Sequence, residues 1–252
     1  EILVTGGAGF IGSHLVDRLV QNGQDEIVIF DNLTRGKLEN ISQHPHNPQV
    51  HFIQGDPREF SQVEEAVKGC QLIYHLGGQT NVMRAVQDVD YSFNSNVLGT
   101  YHILKAARQQ REALLVFSSS REVYGEPRHL PVDESHPTDS KNTYGVSKIS
   151  AELYCRVYRE LYNLQTVILR ITNVYGPRDY GRVIPIWIQR ARAGLPLQIF
   201  GGQQVIDFIP VDLAVEALLR AAQRPHLAEP INIASGKGTP ITAAFDSATQ
   251  TV

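Results

Sequence analysis

Tyr144 and Lys148 lie four residues apart in the run Thr143-Tyr144-Gly145-Val146-Ser147-Lys148, within a segment whose pattern predicts a helix from 142 to 162. At that spacing a phenol and an ammonium share one helix face. A tyrosine serves as a base near neutral pH only if its pKa falls from about 10 to about 7, roughly 4 kcal/mol. One ammonium about 4 Å away in a partly buried site supplies roughly that much. Ser120, at the tip of a predicted strand, can bond the same substrate hydroxyl and hold it against the tyrosine. Lys148 can also hold a ribose. Y-x-x-x-K recurs on many helices as an ordinary surface pair, so the remaining sequence must separate the two readings.

The N-terminal run Thr5-Gly6-Gly7-Ala8-Gly9-Phe10-Ile11-Gly12 helps to do so. It follows Ile2-Leu3-Val4, an apolar run of the kind that forms a buried parallel strand. Gly6 can make the tight turn, Gly9 lets backbone approach a pyrophosphate, and Gly12 lets the next helix pack closely. That helix, from Phe10 to about Val20, offers free N–H groups and a positive dipole end to phosphate. The spacing is G-x-x-G-x-x-G rather than G-x-G-x-x-G, and by itself it is also compatible with a glycine-rich turn. The second apolar run, Ile27-Val28-Ile29-Phe30, ends in Asp31, about 20 residues after the glycines, where an acid can bond a ribose diol. Such an acid would repel a 2′-phosphate, so the cofactor expected is NAD rather than NADP. Asp56, after Val50-His51-Phe52-Ile53, could cap the adenine edge or could be a loop acid or helix cap.

The elements that must position these groups alternate. Helix 60–68, strand 72–76, a single long helix 91–108, strand 113–117 running into Ser118-Ser119-Ser120, helix 142–162 and strand 166–171 predict an α/β fold. It is a doubly wound parallel sheet with right-handed crossovers. Ligands of such sheets lie at the carboxyl ends of the strands. The glycines, Asp31, Gly77, Ser120 and Asn173 all fall there. After about Tyr175 prolines recur and elements shorten. Helices 183–193 and 211–222 and strands 197–200 and 230–233 predict a smaller lobe that closes over the cofactor. Residues 1–174 are expected to be the dinucleotide-binding domain and 175–252 a substrate-binding lobe interleaved with it.

Of 252 residues, 42% are apolar and 19% charged, ordinary for a globular chain of one large domain or one domain plus a lobe. A formal net charge of −3 offers no basic surface for nucleic acid. No apolar run is long enough to cross a membrane, and no signal peptide is visible. Cys70 and Cys155 form no metal or disulfide pattern. A cytoplasmic, metal-free protein is expected. The sequence opens directly on its first strand, so an initiator methionine is expected to be missing.

With these motifs in place the chain resembles the extended short-chain dehydrogenases/reductases that act on nucleotide sugars, UDP-glucose 4-epimerase-like enzymes among them. The resemblance spans Thr5 to about Ser235. It is carried by TGGAGFIGSH (5–14), DNL (31–33), HLGGQ (75–79), NVLGT (96–100), SSSREVYG (118–125), YGVSK (144–148), NVYGPR (173–178) and the DF…VD run (207–212). It implies that NAD is held by Gly6, Gly9, Phe10, Ile11, Gly12, Asp31, Asn32, Asp56, Leu76, Gly77, Gly78, Gln79, Asn96 and Ser118, with Tyr144 and Lys148. It implies Ser120, Tyr144, Lys148 and Glu122 as the catalytic group, and Ser120, Arg121, Asn173 and Arg178 as substrate contacts. The partners implied are a nucleotide-sugar substrate and a second copy of the chain, docked through helices 91–108 and 142–162.

Members oxidise a sugar hydroxyl, usually at C4, to a ketone, and the next step fixes the product. The reading adopted is a 4-epimerase acting on a UDP-hexose. The alternatives are a 4,6-dehydratase or a uronate decarboxylase and, in another class, a non-catalytic NAD-binding sensor. Ser120-Arg121-Glu122 discriminates among them. Similar dehydratases carry Thr-Asp-Glu here, but Arg121 replaces the acid, and arginine is no proton donor at neutral pH. Glu122 could remove a C5 proton, bond a sugar hydroxyl, or pair with Arg121. Ile206 stands where the family often places a phosphate-gripping arginine, and Pro210 where it places tyrosine or histidine. Arg178 or Arg182 could restore the charge. The stretch from Phe245 to Val252 matches no expected element, and the substrate lobe is expected to be shortened.

Overall fold

The computed structural model describes residues 1–23, 26–110, 112–199 and 201–250. Strand β1 (Ile2–Thr5) leads into α1 (Phe10–Gln21), β2 (Ile27–Asp31), β3 (Val50–Gln54), α2 (Phe60–Val67) and β4 (Leu72–His75). Helices α3 (Val82–Gln87) and α4 (Val89–Phe93) follow, then a π-helical turn (Asn94–Leu98) that runs into α5 (Gly99–Ala107). Next come β5 (Leu114–Ser120), α6 (Thr143–Tyr162), β6 (Gln165–Ile171), β7 (Asn173–Tyr175), α7 (Val183–Arg192), β8 (Val205–Ile206) and β9 (Phe208–Pro210). The described part closes with α8 (Val211–Ala222), β10 (Ile231–Ile233), β11 (Thr239–Pro240) and α9 (Ile241–Gln250).

Seven strands form one sheet in the order β10-β6-β5-β4-β1-β2-β3, every pairing parallel. The continuous apolar runs at β1, β2 and β5 arise because both sheet faces are covered. One face packs Leu3, Phe30, Ile73, Leu115 and Ile168 under the α2, α5 and α6 side. The other packs Val4, Ile29, Val116 and Val167 under α1 and α8. The chain reverses its winding between β1 and β4, and the crevice over their carboxyl ends is where a doubly wound sheet holds its ligand.

Two elements beyond residue 175, α8 and β10, complete this sheet layer. A separate apolar cluster gathers around Trp187 of α7, with Ile206, Phe208, Ile241 and Phe245. Ile206 is thereby accounted for: it pairs in β8 with β11 and packs in this cluster. Asp207 beside it accepts from Ser235 N (3.0 Å) and Gly236 N (2.8 Å), and Pro210 sits at the N-cap of α8.

Three expectations change. The helix expected over 91–108 is divided by the π turn. Residues 197–199 are not a strand: Leu197 and Ile199 pack around Trp187, and the Gln198 carbonyl accepts its indole N–H at 3.0 Å; Phe200 lies outside the described residues. The closing stretch, expected to match nothing, belongs to α9 through residue 250; residues 251 and 252 also lie outside. Among the described residues no helix is long and apolar enough to cross a membrane.

Candidate active site

The β1–α1 turn builds one end of the crevice. Gly6 sits at φ +68, and a Cβ there would come within 2.9 Å of Gly77 N. A Cβ on Gly12 would collide with the Gly6 carbonyl oxygen. The amides of Phe10, Ile11 and Gly12 precede the first helical bond, Ser13 N–H to Gly9 O at 3.1 Å, and no side chain caps them. They face the pocket as a ready anion site.

Asp31 ends β2 in the same pocket. Its carboxylate accepts from Ala8 N (3.1 Å) and Leu33 N (2.8 Å). Burial raises its pKa, and those two backbone bonds pull it back. Asn32, Leu76, Gly77, Gly78, Gln79 and Ser118 also line the pocket.

Two residues of the expected set do not line it. Asp56 receives Arg58 (2.8 Å) and Asn32 Nδ2 (3.0 Å), and its hydrogen bonds to Arg58 and Asn32 outweigh the opposing effect of burial and hold its pKa at about 2. Asn96 lies within the π turn, buried, and its amide acts on the pocket wall. Its Oδ1 accepts from Gln79 N (2.7 Å), and its Nδ2 donates to Gln79 O (3.0 Å) and to Ser147 Oγ (2.9 Å). The π turn thus ties the β4 loop to α6.

The other end of the pocket holds Ser120, Arg121, Glu122, Tyr144, Lys148, Asn173 and Arg178. Helix α6 begins cleanly because Asn142 Oδ1 accepts from Gly145 N at 2.8 Å. This fixes Tyr144 and Lys148 over the tip of β5. The tyrosine is buried, and burial raises its pKa. The Ser120 hydroxyl and the charges of Arg182 and Arg121 offset this only in part, Glu122 adds to it, and the phenol stays above its ordinary value.

Lys148 does not stand against the phenol as the spacing suggested. Its Nζ donates to Ser118 O at 2.8 Å and lies 6.0 Å from the centre of the Tyr144 ring. The ammonium is thus held by the backbone of β5 beside the pocket. Burial brings its pKa down to about 8.

Glu122 is engaged at both oxygens: Asn142 Nδ2 donates to Oε2 at 3.0 Å, and Arg121 Nη2 meets Oε1 at 2.8 Å. Arg178 pairs with Asp17 of α1 at 2.8 Å. Pocket residues not read from the sequence include Arg35, Lys37, Asp179 and Tyr180. Arg35 donates to Tyr180 O (3.0 Å) and Thr80 Oγ1 (3.2 Å), and Lys37 Nζ sits 3.9 Å over the Tyr180 ring. These contacts strap the loop after β2 to the loop after β7. Asp179 is buried with Oδ2 unpartnered and Arg182 Nε at 3.6 Å. Among the described residues no cluster could hold a metal ion.

A glycine turn, a bare helix N-terminus and a ribose acid at one end, with serine, tyrosine and lysine at the other, define a Rossmann-fold dinucleotide site with proton-handling groups. Residues 2–234 match the NAD dependent epimerase/dehydratase family. The chain belongs to that family, and its cofactor is NAD. A provisionally named UDP-glucose 4-epimerase of Methanocaldococcus jannaschii is 41% identical over 253 residues, covering 97% of this chain and 80% of the relative. The UDP-glucose 4-epimerase of Thermotoga maritima, solved with UDP-glucose, superposes at TM-score 0.91 with 32% identity, over 99% of this chain and 81% of the other. The dTDP-glucose 4,6-dehydratase DesIV of Streptomyces venezuelae, solved with NAD and TYD, superposes at 0.94 with 27% identity, over 99% and 80%.

Proposed function

We propose that this enzyme is an NAD-dependent nucleotide-sugar 4-epimerase acting on a UDP-hexose. The observation that carries the reading is the engagement of Glu122. Its two oxygens are held by Asn142 and Arg121, and the position before it is a guanidinium. A dehydratase needs an acid and a free base at these two positions; this site leaves Ser120 and Tyr144 to move protons.

The helix amides of Phe10, Ile11 and Gly12 would hold the NAD pyrophosphate, Asp31 a ribose diol, and Lys148 the nicotinamide ribose. Bound NAD supplies a hydride acceptor at the tyrosine end. Ser120 would hold the C4 hydroxyl, and Tyr144 would take its proton as that carbon is oxidised, the positive charge of oxidised NAD offsetting the burial that raises the phenol's pKa. Once the 4-keto sugar has presented its other face, Tyr144 would give the proton back as C4 is reduced. Hydride and proton are both restored, so substrate and product are isomers. Residues 1–174 would supply the dinucleotide contacts, and the segment from 175 adds the pocket residues Arg178, Asp179 and Arg182. The exposed apolar faces of α3, α4 and α6, with Met83, Phe93, Leu153 and Leu161 uncovered, support a homodimer.

The test is mass spectrometry with chromatography on UDP-, dTDP- and GDP-sugars incubated with enzyme and NAD in heavy water. An isomer of unchanged mass is expected. Loss of water or of CO2 would overturn the 4-epimerase reading and return Glu122 to the role of base. No product from any sugar would favour a binding protein.

A further inference from the structure

We propose that Glu152, held by Arg170 and Ser119, is a positioning residue that places a standing negative charge behind Lys148 and keeps the ammonium facing the dinucleotide. Glu152 lies one helical turn beyond Lys148 on α6, at the i+4 spacing that lets two side chains meet. A free carboxylate there would capture the ammonium. It is not free: Arg170 Nε and Nη2 grip it at 3.0 and 2.7 Å, and Ser119 Oγ donates to it at 2.5 Å. Side-chain exposure is 3% for Arg170 and 4% for Glu152. Lys148 is left to donate to Ser118 O, inside the pocket.

The arrangement also fixes register. Ser118, Ser119 and Ser120 end β5 in sequence. Ser118 receives Lys148, and Ser119 binds Glu152. Two hydrogen bonds, at Ser118 and Ser119, therefore clamp the strand tip to α6, with Ser120 beside the Tyr144 phenol. The network continues from Arg170 Nη1 to the Tyr124 hydroxyl (2.9 Å) and from there to Asn232 Oδ1 (2.7 Å), which anchors it to β10.

The charges that face Lys148 can be named element by element. On α6 they are Glu152, the Tyr144 phenol and the Cys155 thiol. Cys155 is pushed up by burial and stays neutral over the working range. On β4, His75 is brought down to about 3 by burial and is neutral. On β5 only the Phe117 ring and the Ser118 carbonyl approach. Arg170 of β6 stands behind the carboxylate. Among the described residues Glu152 is thus the one standing anion near a buried ammonium whose pKa lies at about 8. Lys148 is depressed from its ordinary value, so its charge is present at lower pH and is lost as pH rises through about 8.

The inference rests on the proposed contact between Lys148 and NAD. It is tested on cofactor binding, without turnover. NADH affinity, read by fluorescence titration from pH 6.5 to 10, is expected to weaken along an alkaline limb that Lys148→Met abolishes. Glu152→Gln should move that limb down by about one pH unit, while Glu152→Asp leaves it close to the wild-type position. A limb that stays in place in folded Glu152→Gln protein overturns the proposal. Should that variant fail to fold, Glu152→Gln combined with Arg170→Gln removes both buried charges. Its limb should still fall below the wild-type position, by less than in the single variant; a limb at or above it overturns the proposal. Absence of any limb in the wild type overturns the role of Lys148 and, with it, this inference.

Discussion

At the scale of residues, the site separates proton handling from charge handling. Ser120 lies beside the Tyr144 phenol, whereas the Lys148 ammonium is held by the Ser118 carbonyl. Tyr144→Phe removes the proton and keeps the ring. Turnover should fall about 10²–10⁴-fold with NADH affinity retained, as steady-state rates and fluorescence titration would show; undiminished turnover would sink the assignment. Glu122→Gln keeps the bond pattern to Asn142 and should lower kcat less than about tenfold, since one surface-facing ion pair is worth at most about 1 kcal/mol. A loss of several hundredfold in a rate assay would mean that Glu122 removes a proton. The glycines, Asp31, Ser120, Tyr144 and Lys148 were legible because backbone clearance, helix spacing and strand ends constrain them locally. Arg35, Lys37, Asp179 and Tyr180 were not, because their meeting depends on two loops about 145 residues apart in the chain. The direction of Lys148 was also hidden: spacing shows that two side chains share a face, not which carbonyl wins the ammonium.

At the scale of elements, the parallel sheet was readable because strands covered on both faces are continuous apolar runs. The π turn was not, because it adds one residue to a helical pattern whose apolar positions still look regular. Its result is visible only in three dimensions, where Asn96 bridges Gln79 and Ser147. Leu197 and Ile199 misled for a related reason, since the same alternation serves a strand and a loop wrapped on Trp187. Helix α1 is seated by the absence of a side chain at residue 12. Gly12→Ala must push the helix from the Gly6 carbonyl. The expected cost is about 1–3 kcal/mol, measured as a lower thermal midpoint, together with weaker NADH binding because the helix amides move. An unchanged midpoint and affinity would mean that the turn yields freely.

At the scale of the whole molecule, the outer faces of α3, α4 and α6 leave large apolar side chains in water, Leu161 at 70% exposure and Met83 at 67%. Patches of this kind mark association surfaces. Leu161→Glu should convert a dimer to monomer in sedimentation velocity at micromolar concentration, with NADH binding preserved; a wild-type monomer under the same conditions would refute the interface. The sheet carries a different consequence. Its edge strand β10 pairs with β6, and Asn232 on it receives the Tyr124 hydroxyl across 108 residues of chain. Such a closure is the slowest kind of contact to form, because loop entropy is lost before the contact stabilises anything. On the ribosome the glycine turn and the first strands can assemble early, but the hydrogen-bonded chain behind Tyr144 and Lys148 has no terminus until residue 232 emerges. The turn and strands of the dinucleotide cradle can therefore form before the reactive end of the pocket is tied down.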